Sequence, residues 1–236
     1  MTAEFDPIAE DYTKLHQEAI EGSGFSVDYF YEYKVKKTYQ YLEKHNITTP
    51  KTILDFGCGV GNLIPYIREY FPDAQIYGCD ISKESIELAE DKTKKSNASF
   101  FLFDPDSDVF PAGLKFDLVI VSCVFHHIPP EEHIKTLYRI RANMNPGGNL
   151  FIFEHNPYNP ATRRVFKNTP LDKNATLLSA KYMTSQLEQS AFENMITNYI
   201  IFFPGSLSAF LPLESKLIKV PFGAQYFIAA KTDHME

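Results

Sequence analysis

The sequence predicts an α/β fold in which a seven-stranded, mostly parallel sheet carries helices on both faces and a helical lid at its N-terminus. Two observations lead to this prediction. From Lys51 to Glu154, short apolar runs alternate with segments of helical periodicity, which is the pattern of strand–helix–strand crossovers. The 236 residues are enough for one well-filled core and few for two catalytic domains, so a single domain over residues 1–236 is expected.

Residues 1–45 predict two helices separated by a break at Gly22–Gly24. The second helix is indicated by residues that recur at intervals of three and four, as on one face of a helix: Val27, Phe30, Tyr31, Lys34, Val35 and Thr38. Because this pair precedes the first strand, we expect it to form the lid.

Residues 51–155 predict the core of the sheet. The expected strands are Lys51–Phe56, Gln75–Cys79, Ser99–Phe103, Phe116–Ser122 and Asn149–Glu154, and the expected helices are Asn62–Tyr70, Lys83–Lys94 and Glu131–Met144. Each strand is followed by enough residues to cross over and return parallel to its neighbour.

The C-terminal third has a different pattern. Residues 156–192 predict a polar, irregular insertion with at most a short helical turn, followed by a helix at Ala180–Gln189. Residues 193–236 predict the last two strands, Asn194–Phe203 and Gln225–Ala230. The second of these should run antiparallel, because so short a connection leaves little room for another crossover helix.

Composition narrows the range of functions. The formal net charge is −7, the wrong sign for a surface that neutralises many phosphates, so a nucleic-acid partner is not expected. The chain shows neither a signal-peptide pattern nor an apolar run long enough to span a membrane. Its three cysteines lack the spacing of a disulfide framework or a metal site, so we expect a cytoplasmic protein without a metal.

A glycine-rich turn follows the first core strand, with glycines at Gly57, Gly59 and Gly61. Alternate glycines let a backbone turn sharply and approach a ligand closely. A dinucleotide fingerprint needs Gly-x-Gly-x-x-Gly or Ala, and the third required position holds Asn62 or Ile64, depending on which glycine begins the motif. The turn therefore does not match a dinucleotide site.

The charges beside the turn indicate a different ligand. Asp55 lies where a pyrophosphate would meet a like charge, whereas a ligand ammonium would gain a partner there. Asp80, 25 residues further on, ends the next strand, where a carboxylate can accept hydrogen bonds from ribose hydroxyls. The two acids together predict a site for a nucleoside attached to an amino acid.

These residues resemble motifs of the class I S-adenosylmethionine-dependent methyltransferases. The turn Asp55–Gly61 resembles their first motif, Asp80 their ribose-binding acid and Asp104 the acid that holds the adenine amino group. The segment Phe116–His127 is similar to their fourth strand and its loop, and Asn145–Gly148 is similar to their turn into the fifth strand.

The resemblance spans roughly Lys51–Glu154, and the pattern from Phe5 to Tyr12 resembles the first helix of the small-molecule branch. It implies a Rossmann-like sheet, S-adenosylmethionine as cofactor and methyl transfer to a small molecule. The cofactor residues that it implies are Lys34, Asp55, Gly57, Cys58, Gly59, Asp80, Ile81, Asp104 and Ser122. Simpler roles stay open for several of them, because Asp80 could only cap the next helix, Asp104 could be an ordinary loop acid and the glycines could serve only a tight turn.

Two pairs near the strand ends are candidates for removing a proton from an acceptor hydroxyl. His126 and His127 follow the fourth strand, and Glu154 and His155 end the fifth. A carboxylate beside an imidazole raises its basicity, so we expect Glu154 to act on His155 if the first pair does not supply the base. The alternative for either pair is a hydrogen bond to the loop backbone.

The acceptor is expected between the lid and the insertion. Tyr12 on the lid, with Arg163 and Arg164 in the insertion, are the predicted substrate-binding residues. An arginine there could clamp a carboxylate or phosphate, which favours an anionic acceptor. The tail from Glu154 to Arg164 also resembles methyltransferases associated with bacterial surface saccharides, which favours a saccharide or nucleotide-linked sugar.

Two other functions stay open at this point. A protein of the same fold could bind S-adenosylmethionine without turnover, and a nicotinamide-dependent oxidoreductase could share the sheet. The glycine spacing counts against the oxidoreductase. The sequence leaves open which atom is methylated and the oligomeric state.

Overall fold

The computed structural model describes residues 12–105, 110–111, 113–169 and 172–233, with side chains from residue 14 onward. Its strands are β1 (Thr52–Phe56), β2 (Gln75–Asp80), β3 (Ala98–Leu102), β4 (Phe116–Ser122), β5 (Met144–His155), β6 (Glu193–Ile200) and β7 (Gln225–Lys231). They form one sheet in the order β3-β2-β1-β4-β5-β7-β6. The first five strands pair in parallel, and β7 is antiparallel to both β5 and β6. The predicted sheet and its antiparallel strand are confirmed.

The helices are α1 (Tyr12–Ile20), α2 (Val27–Lys44), α3 (Ile64–Tyr70), α4 (Lys83–Lys92), α5 (His133–Ala142), α6 (Pro160–Asn168), α7 (Ala180–Gln189) and the short α8 (Glu214–Leu217). Both faces of the sheet are covered. On β4, Leu118 and Ile120 pack with α2 and α3, whereas Val119 and Val121 pack with α5 and α7. Strands buried on both faces read as continuous apolar runs, which is why the sequence shows no alternation there.

The predicted break in the lid is confirmed, with a short helical turn at Glu21–Ser23 between α1 and α2. Ser26 caps α2 by accepting a hydrogen bond from the amide of Tyr29. The inner side of α2, including Tyr31 and Val35, is buried in the same core as α3. This half of the lid is thus part of the core, and it holds Lys34 at the end of the sheet.

The insertion is more regular than the sequence analysis expected. Instead of a short turn, residues Pro160–Asn168 form the nine-residue helix α6. Asn159 starts it, because its side chain accepts a hydrogen bond from the amide of Thr162 and Pro160 has the backbone geometry of a first helical position. Thr162 also donates to the carbonyl of Ala224, which fastens α6 beside β7.

No helix in the described residues has the length and apolar character needed to cross a membrane.

We expect Tyr226→Phe to lower the free energy of unfolding by about 1 kcal/mol, because it leaves a buried carbonyl without its donor. Tyr226 lies fully buried in β7, and its hydroxyl donates to the carbonyl of Leu178 at 2.9 Å, which ties the sheet to the chain before α7. Urea unfolding measures the change. Tyr158→Phe is the control, because that ring is exposed. Equal stability of the two variants would contradict the role of this bond.

Candidate active site

The glycine turn lies between β1 and α3, at the carboxyl ends of the parallel strands, where open α/β sheets bind ligands. Gly57 and Gly59 both have positive φ, 73° and 50°. The amides of Gly57 and Cys58 donate to the carbonyl of Cys79 at 2.8 and 2.9 Å, so the turn is bonded to the end of β2. A Cβ on Gly57 would lie 2.5 Å from a methyl of Val124, whereas a Cβ on Gly59 would have no atom within 4 Å. The turn is packed on one side and open on the other.

Asp80 joins the open side of this turn to α4. One carboxylate oxygen accepts from the amide of Gly59 at 2.9 Å, and the other accepts from the amide of Ser82 at 2.9 Å. Ser82 in turn caps α4 by accepting from the amide of Ser85. Asp80 therefore contributes to the start of the helix and also borders the turn, so its two expected roles are compatible.

Asp55 is buried at the end of β1, with 1% of its surface exposed. Among the described residues, its Oδ2 has no hydrogen-bond partner. Burial and the nearby Asp80 raise the pKa of Asp55 to about 7, against the opposing effect of Lys34. A buried carboxylate oxygen without a partner is costly, and a ligand ammonium would remove that cost. The site thus fits the amino-acid end of S-adenosylmethionine.

Lys34 reaches this pocket from α2 and is also buried. Its ammonium donates to the hydroxyl of Ser122 at 2.8 Å and to the sulfur of Cys123 at 3.3 Å. Burial opposes ionisation of the Cys123 thiol, but Lys34 and His155 lower its pKa to about 6. Lys34 and Ser122 are therefore placed to meet the carboxylate of an amino-acid ligand.

The residues expected around the adenine lie at and after the ends of β2 and β3. The amide of Phe103 donates to the carbonyl of Asp80 at 2.8 Å, which brings the end of β3 beside β2. Ile81 and Asp104 are both exposed there. By contrast, Cys58 is buried, and burial raises the pKa of its thiol well above the usual value, so it serves as packing and not as a nucleophile.

A second cluster lies beyond β4 and β5. Nδ1 of His126 is 2.6 Å from a carboxylate oxygen of Glu154, and both side chains are buried. Nε2 of His126 and Nε2 of His127 are each 3.6 Å from the same oxygen of Asp172. Sequence reasoning missed Asp172, because a single acid in a polar insertion carries no motif.

The charges of this cluster are coupled. Burial disfavours protonation of His126, but Glu154 and Asp172 raise its pKa to about 10. Burial and the neighbouring His126 lower the pKa of His127 to about 4. Burial opposes ionisation of Glu154 as well, yet the facing His126 keeps its pKa below the usual value. The two adjacent histidines thus have opposite protonation states at neutral pH.

The direct contact of the Glu154 carboxylate is with His126 and not with His155, its expected partner. Successive strand residues turn to opposite faces, so adjacent side chains in β5 diverge. Nδ1 of His155 lies 3.5 Å from the side-chain nitrogen Nε2 of Gln225. The ring centroid of His155 is 5.2 Å from that of His126. All three predicted histidines therefore lie in one place, although their partners differ from those expected.

Helix α6 covers this cluster through a residue that sequence reasoning missed. The ring of Phe166 lies 5.8 Å from that of His126 and 6.0 Å from that of His155, measured between centroids. Arg163 and Arg164 belong to the same helix, and both are exposed. The structure therefore brings the helix, but not these two guanidinium groups, against the histidines.

The lid contributes a further histidine that the sequence did not indicate. Nδ1 of His16 is 2.9 Å from the hydroxyl of Tyr31, which also accepts from Asn62 just after the glycine turn. Burial, Lys34 and His155 lower the pKa of His16 to about 4. The predicted contact of Tyr12 cannot be placed, since α1 begins at that residue and its side chain lies outside the described part of the chain.

The sheet order, with a glycine turn and two acids at the ends of its parallel strands, is that of a Rossmann-like class I methyltransferase fold. A family model described as "Methyltransferase domain" matches residues 27–195. The chain belongs to this family, the S-adenosylmethionine-dependent methyltransferases.

Two solved structures share the fold over nearly their full length. Magnesium protoporphyrin IX methyltransferase from Synechocystis, determined with bound S-adenosylhomocysteine, has a TM-score of 0.63 at 17% identity, covering 97% of this chain and 96% of that one. A possible histamine N-methyltransferase from Thermotoga maritima has a TM-score of 0.62 at 15% identity, with 97% and 98% covered.

Curated relatives match over shorter segments. A malonyl-[acyl-carrier protein] O-methyltransferase of Halalkalibacterium halodurans is 30% identical over 46% of this chain and 40% of its own length. A tRNA N(3)-methylcytidine methyltransferase of Schizosaccharomyces pombe is 31% identical over 43% of both chains. A trans-aconitate 2-methyltransferase of an Azoarcus strain is 26% identical over 55% of this chain and 49% of its own. The chain thus matches half or less of each of these relatives.

The two glycines predict separable effects on stability and binding. Alanine at either position places a side chain in the left-handed region, at a cost of about 1–2 kcal/mol. Gly57→Ala also clashes with Val124, so we expect it to lose roughly 1–3 kcal/mol more in urea unfolding. Gly59→Ala should instead weaken S-adenosylmethionine binding by calorimetry, because its methyl fills the open side of the turn. Unchanged affinity in Gly59→Ala would exclude this turn as the cofactor site.

Asp55 predicts that affinity for S-adenosylmethionine rises with pH. Since its pKa is about 7 in the free protein, facing Asp80 and Lys34, the carboxylate that meets the ligand ammonium forms as the pH rises. We expect the dissociation constant to fall about fivefold between pH 6 and 7, below the range in which the ligand amine titrates. Asp55→Asn should bind weakly with no such slope.

The carboxyl group of Asp55 affects the stability of the ligand-free protein in the opposite direction, because that stability falls as the pH rises. Its pKa is higher folded than unfolded, so the ligand-free protein should lose stability from about pH 4 to 7, and Asp55→Asn should remove that loss. A wild-type affinity for S-adenosylmethionine that does not change between pH 6 and 7 would contradict the assignment of Asp55 to the ligand ammonium.

Proposed function

We propose that this protein transfers a methyl group from S-adenosylmethionine to a small-molecule acceptor. The observation that carries the proposal is Asp55, a buried carboxylate whose Oδ2 has no partner among the described residues, beside a glycine turn with an open side. A non-catalytic binding protein would need that pocket only. The buried histidine cluster beside it, at the ends of β4 and β5, favours an enzyme.

Each part of the cofactor has a candidate partner. Asp55 and Lys34 would hold its ammonium and carboxylate, the backbone of the turn from Gly57 to Gly59 would lie along its chain, and Asp80 would bind the ribose. Ile81 and Asp104 would border the adenine. The bound cofactor supplies an electrophilic methyl group on a sulfonium, so the protein has to align the acceptor, exclude water and receive a proton.

Proton removal from a hydroxyl acceptor is proposed for the cluster that contains His127, His126 and His155. Glu154 acts on it as a positioning residue, because its contact with Nδ1 of His126 fixes which ring nitrogen faces Asp172. Phe166 covers two of the rings and excludes water from that side.

An anionic acceptor, such as an acidic or nucleotide-linked sugar, has two kinds of support. Arg163 and Arg164 lie on the helix that carries Phe166, and both are exposed to solvent. Two relatives are named for acceptors that bear a carboxylate, malonyl-[acyl-carrier protein] and trans-aconitate. Other relatives are named tRNA methyltransferases, and the net charge of −7 weighs against that acceptor here.

The first test follows tritium from labelled S-adenosylmethionine into cell extract separated into small molecules, protein and RNA. We expect label in the small-molecule fraction with the wild-type protein and none with Asp55→Asn. Asp73→Asn, a change at an exposed acid, is the control and should label as the wild type does. Label confined to RNA would overturn the small-molecule acceptor, and binding without transfer to any fraction would overturn the enzyme.

Once the acceptor is known, Arg163→Gln and Arg164→Gln test its charge. Loss of a charge-assisted contact should raise the acceptor KM by about tenfold in at least one variant, with cofactor affinity unchanged. Lys181→Gln, at an exposed lysine of the neighbouring α7, is the matched control. Unaltered KM values in both arginine variants would show that α6 does not select the acceptor.

A further inference from the structure

We propose that His126, His127 and Asp172 bind a divalent metal ion of the zinc type beside the methyl-transfer site. The inference deepens the proposed function and rests on it, because the ion would bind an oxygen of the acceptor. The sequence has no motif for such a site, since its three ligands come from a loop after β4 and from the distant insertion.

The spacing of the three ligand atoms is the first argument. Oδ1 of Asp172 is 3.6 Å from Nε2 of His126 and 3.6 Å from Nε2 of His127, and all three atoms lie within 4.8 Å of one another. Hydrogen bonds between such atoms span about 2.7–3.2 Å, so these separations are too long for hydrogen bonds. Tetrahedral zinc with bonds of about 2.0–2.1 Å separates its ligands by about 3.3–3.5 Å. The observed spacing is close to that of ligands around one shared ion.

The second argument is the support behind His126. Glu154 contacts Nδ1 of that ring at 2.6 Å, and the two side chains are 1% and 0% exposed. Histidine ligands of metals commonly donate their other ring nitrogen to a carboxylate, which fixes the tautomer and the ring orientation. An ion bound at Nε2 of His126 would displace the proton from that nitrogen and leave the proton on Nδ1, which faces Glu154.

Charge is the third argument. Glu154 and Asp172 bring two carboxylates to a buried place, and their ion pairs among the described residues are with histidines only. A divalent ion would balance both carboxylate charges. Exposure also fits, because the side chains of His127 and Asp172 are 16% and 12% exposed, so a fourth position could face the acceptor.

The backbone already holds the two halves of this site together. The amide of Thr176 donates to the carbonyl of His126 at 2.8 Å, which joins the segment carrying Asp172 to the histidine loop. The ligands are therefore positioned before any ion binds. An ion at this place would polarise an acceptor oxygen and ease the loss of its proton, which favours hydroxyl acceptors. With His126 and His127 as ligands, His155, whose ring centroid is 5.2 Å from that of His126, would be the histidine that receives this proton.

The test uses the full chain after dialysis against a chelator, with cobalt chloride and zinc chloride as probes. We expect calorimetry to show one ion per chain with a dissociation constant of about 1 μM or below, and cobalt to give the visible absorption of a tetrahedral site. Asp172→Asn and His127→Ala should weaken binding by about 100-fold or more, and Glu154→Gln by about 10- to 100-fold.

His45→Gln is the control, since His45 is exposed and distant in sequence, and it should bind as the wild type does. Circular dichroism confirms that the isosteric Asp172→Asn is folded. Failure of the wild type to bind cobalt and zinc, or unchanged affinity in folded Asp172→Asn and His127→Ala, would overturn the metal site.

Methyl transfer is measured separately, with and without restored metal. Full transfer by the chelated protein would overturn the role of the ion and leave the proposed function standing. Stoichiometric metal binding without methyl transfer to any fraction would overturn the proposed function and leave the metal site standing. The two proposals therefore fail on different observations.

Discussion

The close approach of three strand ends around Gly57 is the constraint on which the site depends. Its amide bonds to the end of β2 through Cys79, and the space that its missing side chain leaves is occupied by Val124, just after β4. This packing draws β1, β2 and β4 to one point. Asp55, Asp80 and Ser122 all lie at or beside that point, so three separate segments contribute polar groups to one pocket.

Around this point the polar groups form two clusters. Two acids, Asp55 and Asp80, border the glycine turn, and the histidines and Glu154 lie beyond β4 and β5. Lys34 lies between these groups, bonded to Ser122 and Cys123, and it affects the ionisation of Asp55 as well as that of His16. Lys34 therefore lies beside the proposed cofactor pocket, on a helix that also packs in the core.

The insertion contributes to the site through a few specific bonds. Asn156 donates to the carbonyls of Pro221 and Gly223, Thr162 donates to Ala224, and Thr176 bonds the histidine loop. These contacts hold α6 and Asp172 against the ends of β5 and β7, although most of α6 is exposed. A polar segment with little core of its own can therefore still position a half-buried ring such as Phe166 and a charged side chain such as Asp172.

The sequence by itself determined the parallel sheet, its antiparallel last strand, the glycine turn and the acids at the ends of β1 and β2. These features follow from local periodicity, and parallel strands bring their carboxyl ends to one edge whatever the details of packing. Only the tertiary structure decided the partners in the histidine cluster. Glu154 meets His126, 28 residues away in sequence, and not its neighbour His155, because strand geometry sends adjacent side chains apart. Asp172 and Phe166 join the cluster through long-range bonds that place the insertion, and no local pattern encodes such contacts.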